Sequence, residues 1–313
     1  MIPPARKSQH AGRLLCAVIA IFASAFLSAG DYEPSVTIVL LGDVMLGRGV
    51  ALAHASGGWD QTLQSLGPVL CSADLSLANL ESPIDCGSPT IDDSRLLVAP
   101  SRSIDALTSA GVDLVSVANN HALDDGTRGV QCTQDALILH GIRDLDSASP
   151  VLFAVHGVRL AFLAADFTGE YFPQAIDDLK TQIQDLRSLG NLVVVSLHWG
   201  MEYQAGADSF QKNVAQALAN AGAVILWGHH PHAIQETAWL GSTLVLYSLG
   251  NAVFDQWEPA TSREGELAWV EVTRSGVRRY AVVKFSIDPR HGRTGSIAAA
   301  TFRFSIAPLQ PAK

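Results

Sequence analysis

The chain has 313 residues, 48% of them hydrophobic and 16% charged, and a formal net charge of -9. A composition this apolar can bury a large core, which excludes a disordered chain, and the length suits one large domain or two small ones. The acidic balance excludes a general binder of nucleic acid.

The N-terminus has the layout of an export signal. Arg6, Lys7 and Arg13 make a basic start with no acid before Asp31; an apolar run of 14 residues, Leu14 to Leu27, follows and closes in LSAG. A spanning helix needs about 20 residues. Residues 1–30 therefore read as a secretory signal peptide, with an uncleaved N-terminal anchor as the alternative. Its removal would take the charge from -9 to -12. The expected location is extracytoplasmic: secreted, periplasmic or anchored at the outer face of a membrane. Cys16 lies in this segment, and Cys71, Cys86 and Cys132 follow it. A Cys71–Cys86 bridge is expected because the two flank one strand, leaving one thiol over.

Seven near-continuous apolar runs read as strands covered on both faces: 35–42, 74–80, 113–119, 159–165, 191–199, 223–228 and 243–250. Helical patterns lie between them at 103–110, 127–140, 178–189 and 207–221; in the last, Phe210, Val214, Ala217 and Leu218 share one face. After Trp257, ELAWVEVT, RRYAVVKFSI and SIAAATFRFSI alternate like antiparallel strands. The chain thus reads as an α/β body over 31–256 with a β-rich extension of the same domain over 257–313.

Five of these runs end in residues that bind metals. VLLGD ends at Asp43, LSLANLE at Glu81, LVSVANNH at Asn120 and His121, VVVSLH at His198, and VILWGHHPH at His230 and His232. Taken singly, each has a plain alternative: Asp43 a turn residue, Glu81 a solvated strand end, the Asn-His pair a helix cap, His198 a core histidine. His-His-Pro-His is the hardest to explain that way. In α/β sheets, ligands bind outside the carboxyl ends of the strands, so five separate loops can converge on one site there. Carboxylates, an amide oxygen and imidazoles together suit Zn, Mn or Fe better than Ca or Mg.

The motifs GDVMLGR, ANLESPI, VANNHALDDG, LHWGMEY, GHHPHAIQ and YSLGNAVFDQ, in that order over about 36–256, resemble the CapA family, the poly-γ-glutamate capsule synthesis proteins. That family is related to the calcineurin-like metallophosphoesterases. The resemblance implies a four-layer α/β/β/α fold, two stacked mixed sheets flanked by helices, and two divalent metal ions. It makes Asp43 the first acidic ligand, Glu81 the bridging carboxylate, and Asn120, His198, His230 and His232 the other metal ligands. His121 would stand beside the leaving group, so Asp43 and His121 are the catalytic candidates. Arg48, Asn79, Trp199, Glu202, Tyr203, His229 and Asn251 are the candidate substrate contacts, Arg48 as an anion clamp and Trp199 equally as a core residue. Val224, Ala252 and Asp125 depart from the family pattern at positions that bear on substrate rather than metal.

Two functions follow from these readings. One is a metal-dependent hydrolase of a phosphoester or of a capsule or envelope polymer. The other is a non-catalytic component that binds or passes an anionic polymer, with membrane-embedded capsule synthesis proteins as partners. Neither involves nucleic acid.

Overall fold

The computed structural model describes residues 33–86, 97–169, 173–288, 293–294 and 305–307. The first half contains β1 (Ser35–Val44), α1 (Arg48–Ala53), α2 (Gly67–Ser72), β2 (Leu75–Leu80), α3 (Ile104–Ala110), β3 (Leu114–Ser116), α4 (Gly126–Leu139), β4 (Arg143–Leu145), β5 (Val151–Val155) and β6 (Val158–Asp166). Then come α5 (Pro173–Ser188), β7 (Leu192–His198), α6 (Ser209–Ala221), β8 (Ile225–His229), β9 (Thr237–Leu240), β10 (Thr243–Leu246) and β11 (Asn251–Val253). β12 (Glu264–Thr273), β13 (Gly276–Asp288), β14 (Arg293–Thr294) and β15 (Ser305–Ile306) end the described chain.

These strands form two mixed sheets. One runs β14-β13-β12-β1-β2-β3-β4, with β11 also on β1 and β15 on β13; the other runs β5-β6-β7-β8-β10-β9. β1 shows why. Its residues are buried almost without a break, as a strand covered on both faces requires. Ile38 and Leu40 point into the interior between the sheets, where they meet Phe162, Val194, Ile225 and Trp227 of the other sheet. Val39 and Leu41 point the other way, into a core shared with α2 and α3. Leu163, Val195 and Leu226 do the same on the far side, under α5 and α6. The side chains thus define four layers, α/β/β/α.

Local chemistry sets the helix limits. α6 starts in a reciprocal cap: Asp208 Oδ1 accepts from Gln211 N at 2.8 Å, and Gln211 Oε1 accepts from Asp208 N at 3.0 Å. It ends at Gly222, whose φ of 109° a side chain would resist. The two sheets are tied near the site by Trp227, whose Nε1–H donates to Leu41 O at 2.8 Å.

β12 pairs antiparallel with β1, from Ser35 opposite Thr273 to Leu40 opposite Ala268, so the tail extends the first sheet. β13 pairs antiparallel with β12 in turn. Most of the expected third tail strand, 296–306, lies outside the described residues; its end, Ser305–Ile306, pairs with β13.

The cysteine pairing differs from expectation. The bridge joins Cys86 to Cys132 of α4, with Cα atoms 5.3 Å apart, and Cys71 is free and exposed. Cys71 and Cys86 do flank β2, but at opposite ends of it. A six-residue strand spans about 20 Å, and a disulfide cannot reach much beyond about 7 Å between Cα atoms.

Candidate metal centre

The carboxyl ends of β1, β2, β3, β7 and β8 open to one side, and the polar residues gather there. Asp43 occupies a break in β1, where pairing to β2 shifts register and β11 joins through Asn251. The chain can turn there because Gly42 lies against Gly250; a Cβ on Gly42 would stand 1.8 Å from Gly250 O. Asp43, Glu81 and His198 are wholly buried, and His230 and His232 are 8% and 2% exposed. His230 and His232 carry positive φ angles of 92° and 51°, conformations that persist only when their surroundings enforce them. Here Asp43 Oδ2 accepts from His230 N at 3.3 Å, and Tyr203 N donates to Pro231 O at 2.7 Å.

Asp43 is the anion of the site. Burial opposes its charge, but His229 and His232 outweigh that and hold the carboxyl well below its ordinary range. His232 Nδ1 lies 3.3 Å from Asp43 Oδ2, and its Nε2 lies 3.5 Å from Glu81 Oε1. Burial disfavours the His232 cation, yet Glu81, Asp43 and Asn251 raise its pKa to about 9. His198 and His230 are pushed down, chiefly by burial, with neighbouring imidazoles adding to it and Asp43 opposing it. A neutral His198 fits its contacts: Nδ1 is 3.4 Å from Asn79 Nδ2, a donor, and Nε2 is 2.9 Å from Asn120 Oδ1, an acceptor.

Glu81 is the strongest indication that the site takes a cation. Burial drives its carboxyl well above the ordinary range, and the Asp43 and Glu202 carboxylates add to the effect. Oε1 makes no hydrogen bond, although His232, His198 and His121 each bring a ring nitrogen to 3.5, 3.9 and 4.0 Å. His230 Nδ1 and both ring nitrogens of His229 are likewise buried without a hydrogen bond. Such groups cost about 1–3 kcal/mol each when left unmatched, and divalent cations match them. Three sets of possible ligand atoms lie within 4.8 Å of one another: Asp43, Glu81 and His232; Glu81, His198 and His230; and Glu202, His230 and His232. The residues present fit divalent metal.

His121 stands at the rim. Its Nδ1 is 2.9 Å from Asp124 Oδ2, which also accepts from Leu97 N at 2.9 Å. Asn119 holds this turn from below, accepting from His121 N at 3.2 Å and donating to Leu80 O at 2.9 Å. Sequence reading missed Asp124, although its spacing of three residues from His121 is a local signal. It also missed Asn119.

Several expected substrate contacts have other places. Trp199 is fully buried in the outer core and donates from Nε1 to Tyr247 O at 2.9 Å, so it is a core residue and no groove wall. Asn79, His229 and Asn251 are buried inside the cluster rather than facing substrate. Asn79 Nδ2 donates to Asp43 Oδ1 at 2.8 Å, His229 Nδ1 is 3.4 Å from the same oxygen, and Asn251 Oδ1 is 2.9 Å from His232 Nδ1. Arg48 is partly exposed and clamped by Asp255 at 2.5 Å. Glu202 and Tyr203 are exposed at the mouth of the site, where Tyr203 Oη accepts from Gln256 Nε2 at 3.1 Å. A cavity of about 260 Å³ with an apolar lining adjoins the site at Asn119 and Asp166.

Residues 37–256 match the family described as bacterial capsule synthesis protein PGA_cap. The chain is 28% identical to the PGA biosynthesis protein CapA of Bacillus subtilis (strain 168), over 86% of its own length and 79% of the relative's. It is 32% identical to the capsule biosynthesis protein CapA of Bacillus anthracis, over 80% and 67%. A hypothetical protein of known structure from Thermus thermophilus superposes with a TM-score of 0.46 and 18% identity, over 87% of this chain and 100% of its own. The match over most of the chain, with the site motifs inside it, places this protein in the PGA_cap family of bacterial capsule synthesis proteins.

Proposed function

We propose that this chain is a metal-dependent hydrolase acting outside the cytoplasm on a phosphoester or on a capsule or envelope polymer of the poly-γ-glutamate type. The observation that carries this reading is Glu81 Oε1, fully buried, ringed by three imidazoles and without a hydrogen bond. Asp43, Glu81 and His232 would hold one divalent ion, and Glu81, Asn120, His198 and His230 a second. Mn, Zn and Fe suit these donors. Ions held there would supply a water nucleophile at neutral pH and stabilise charge on a phosphoryl or acyl oxygen.

The chain's own residues would do the rest. Asp124 pins His121 Nδ1, which leaves Nε2 on the side facing Glu81. That nitrogen would give a proton to a leaving-group oxygen. Asn79 and Asn251 orient Asp43 and His232 through hydrogen bonds. Arg48, partly exposed and fixed by Asp255, would supply positive charge to an anionic substrate. The Cys86–Cys132 bridge favours an oxidising compartment. No helix among the described residues is long and apolar enough to cross a membrane, and residues 1–30 lie outside them.

One observation favours a second reading. The two CapA relatives are named for making a polymer, not for cutting one, and this chain would then bind or pass an anionic polymer beside membrane-embedded synthesis proteins. The test is a screen of the Mn²⁺-loaded full chain against a phosphomonoester, a phosphodiester and a γ-glutamyl peptide. The hydrolase reading expects cleavage of at least one, abolished by chelator. A loaded protein that cleaves none of them overturns it in favour of the binding role.

A further inference from the structure

We propose that Glu202 is a metal ligand on the open side of the cluster, a carboxylate that an incoming oxyanion displaces. This deepens the metal-dependent reading above and rests on it. From sequence, Glu202 reads as a substrate contact rather than a ligand; it follows strand β7 by four residues and is exposed.

Three observations carry the assignment. A carboxylate oxygen of Glu202 and ring nitrogens of His230 and His232 lie within 4.8 Å of one another. His230 also belongs to the Glu81–His198 group and His232 to the Asp43–Glu81 group, so Glu202 lies against one imidazole from each of them. The two histidines are buried and Glu202 is exposed, so its carboxylate is the member of this group that water reaches. Finally, the backbone holds it there. Gly200 and Tyr203 take positive φ angles of 84° and 64°, and Tyr203 N donates to Pro231 O at 2.7 Å. That bond locks the Glu202 turn to the His-His-Pro-His turn. The position of Glu202 over His230 and His232 is therefore built by the chain.

A buried carboxylate such as Asp43 or Glu81 cannot leave a metal without being stranded in a medium that penalises its charge. An exposed one can, because water receives it. Glu202 thus suits a ligand that completes coordination at rest and yields its place to a phosphoryl or carboxylate oxygen. The exchange makes and breaks only coordination bonds.

The experiment compares wild type, Glu202→Gln and Glu202→Asp as full chains, with Mn²⁺ binding followed by calorimetry and by the EPR spectrum of the bound ion. Glu202→Gln keeps the shape and removes the charge, and the site is exposed, so folding is not at issue; a matching circular dichroism spectrum checks this. The expected result is a loss of roughly 10- to 100-fold in affinity for one ion, at least what loss of an outer-shell partner costs, with a changed EPR spectrum. The loss persists in 0.5 M NaCl, which screens charges that merely lie nearby. Glu202→Asp falls between the two. Inorganic phosphate perturbs the wild-type spectrum towards that of Glu202→Gln. The proposal is overturned if Glu202→Gln binds both ions as wild type does, or if its deficit vanishes in high salt. A wild type that binds no Mn²⁺ sinks the metal-dependent reading itself, a result separate from either of these.

Discussion

Glu81→Gln should affect the protein in opposite directions with and without metal. The substitution keeps the volume of a side chain with no exposed surface and removes its ability to become an anion. In chelator, the wild-type oxygen has no hydrogen bond and sits beside a second carboxylate, Asp43. Relief of that mismatch is worth up to about 1–3 kcal/mol, so the metal-free variant should unfold at or above the wild-type temperature. With metal, the order reverses. Each ion at a hundred times its Kd adds about 2.7 kcal/mol to wild type, hence about 5 kcal/mol for two. At about 2 °C per kcal/mol for a chain of this size, wild type should gain about 10 °C and the variant almost nothing, because Glu81 belongs to two of the three ligand groups. Differential scanning calorimetry in EDTA and in excess Mn²⁺ reads both signs. Equal metal-induced shifts in the two proteins would show that Glu81 holds neither ion.

Other residues give further tests. His121→Ala should keep its metal, measured by elemental analysis, yet lose roughly 10²- to 10⁴-fold in turnover, and Asp124→Asn should lose part of this with a shifted pH profile. Gly42→Ala should destabilise the fold by at least about 2 kcal/mol in urea titration, because its Cβ would strike Gly250 O. Glu271 bonds Arg279 Nε at 2.6 Å and Arg278 Nη1 at 3.3 Å. Burial opposes the charge of Glu271, but these guanidiniums and Ser35 lower its pKa from the ordinary 4.5. Its contribution is therefore present above that value and lost as pH falls through the lowered one. Glu271→Gln should cost about 1 kcal/mol at pH 7 and progressively less below pH 4.5, by urea titration at each pH.

The sandwich was legible because its central strands are covered on both faces and read as unbroken apolar runs. β4, β5 and β9 were not, being of three to five residues at or near sheet edges. The strand ends that carry the clustered polar residues were legible for a physical reason: parallel strands bring all their carboxyl ends to one side. Period-two alternation also held the answer on Trp199. His198 faces the site, so the next residue must face away, towards α6. The Arg48–Asp255 pair spans 207 residues and left no local trace. Cys86 meets Cys132 only because α4 returns beside the loop after β2, a contact set by tertiary packing. Backbone geometry was likewise silent in the sequence, and it is what brings Glu202 to His230 and His232.

Dependence of hydrolysis on bound metal is the property that a hydrolytic metal centre must show first. Metal-free full chain should be titrated with Mn²⁺ while bound ion per chain and the cleavage rate of a responsive phosphoester or γ-glutamyl substrate are followed together. The rate should be near zero without metal, rise with occupancy and level off at two ions per chain. A rate that is independent of occupancy, or absent at full loading, would rule out a metal-dependent hydrolase.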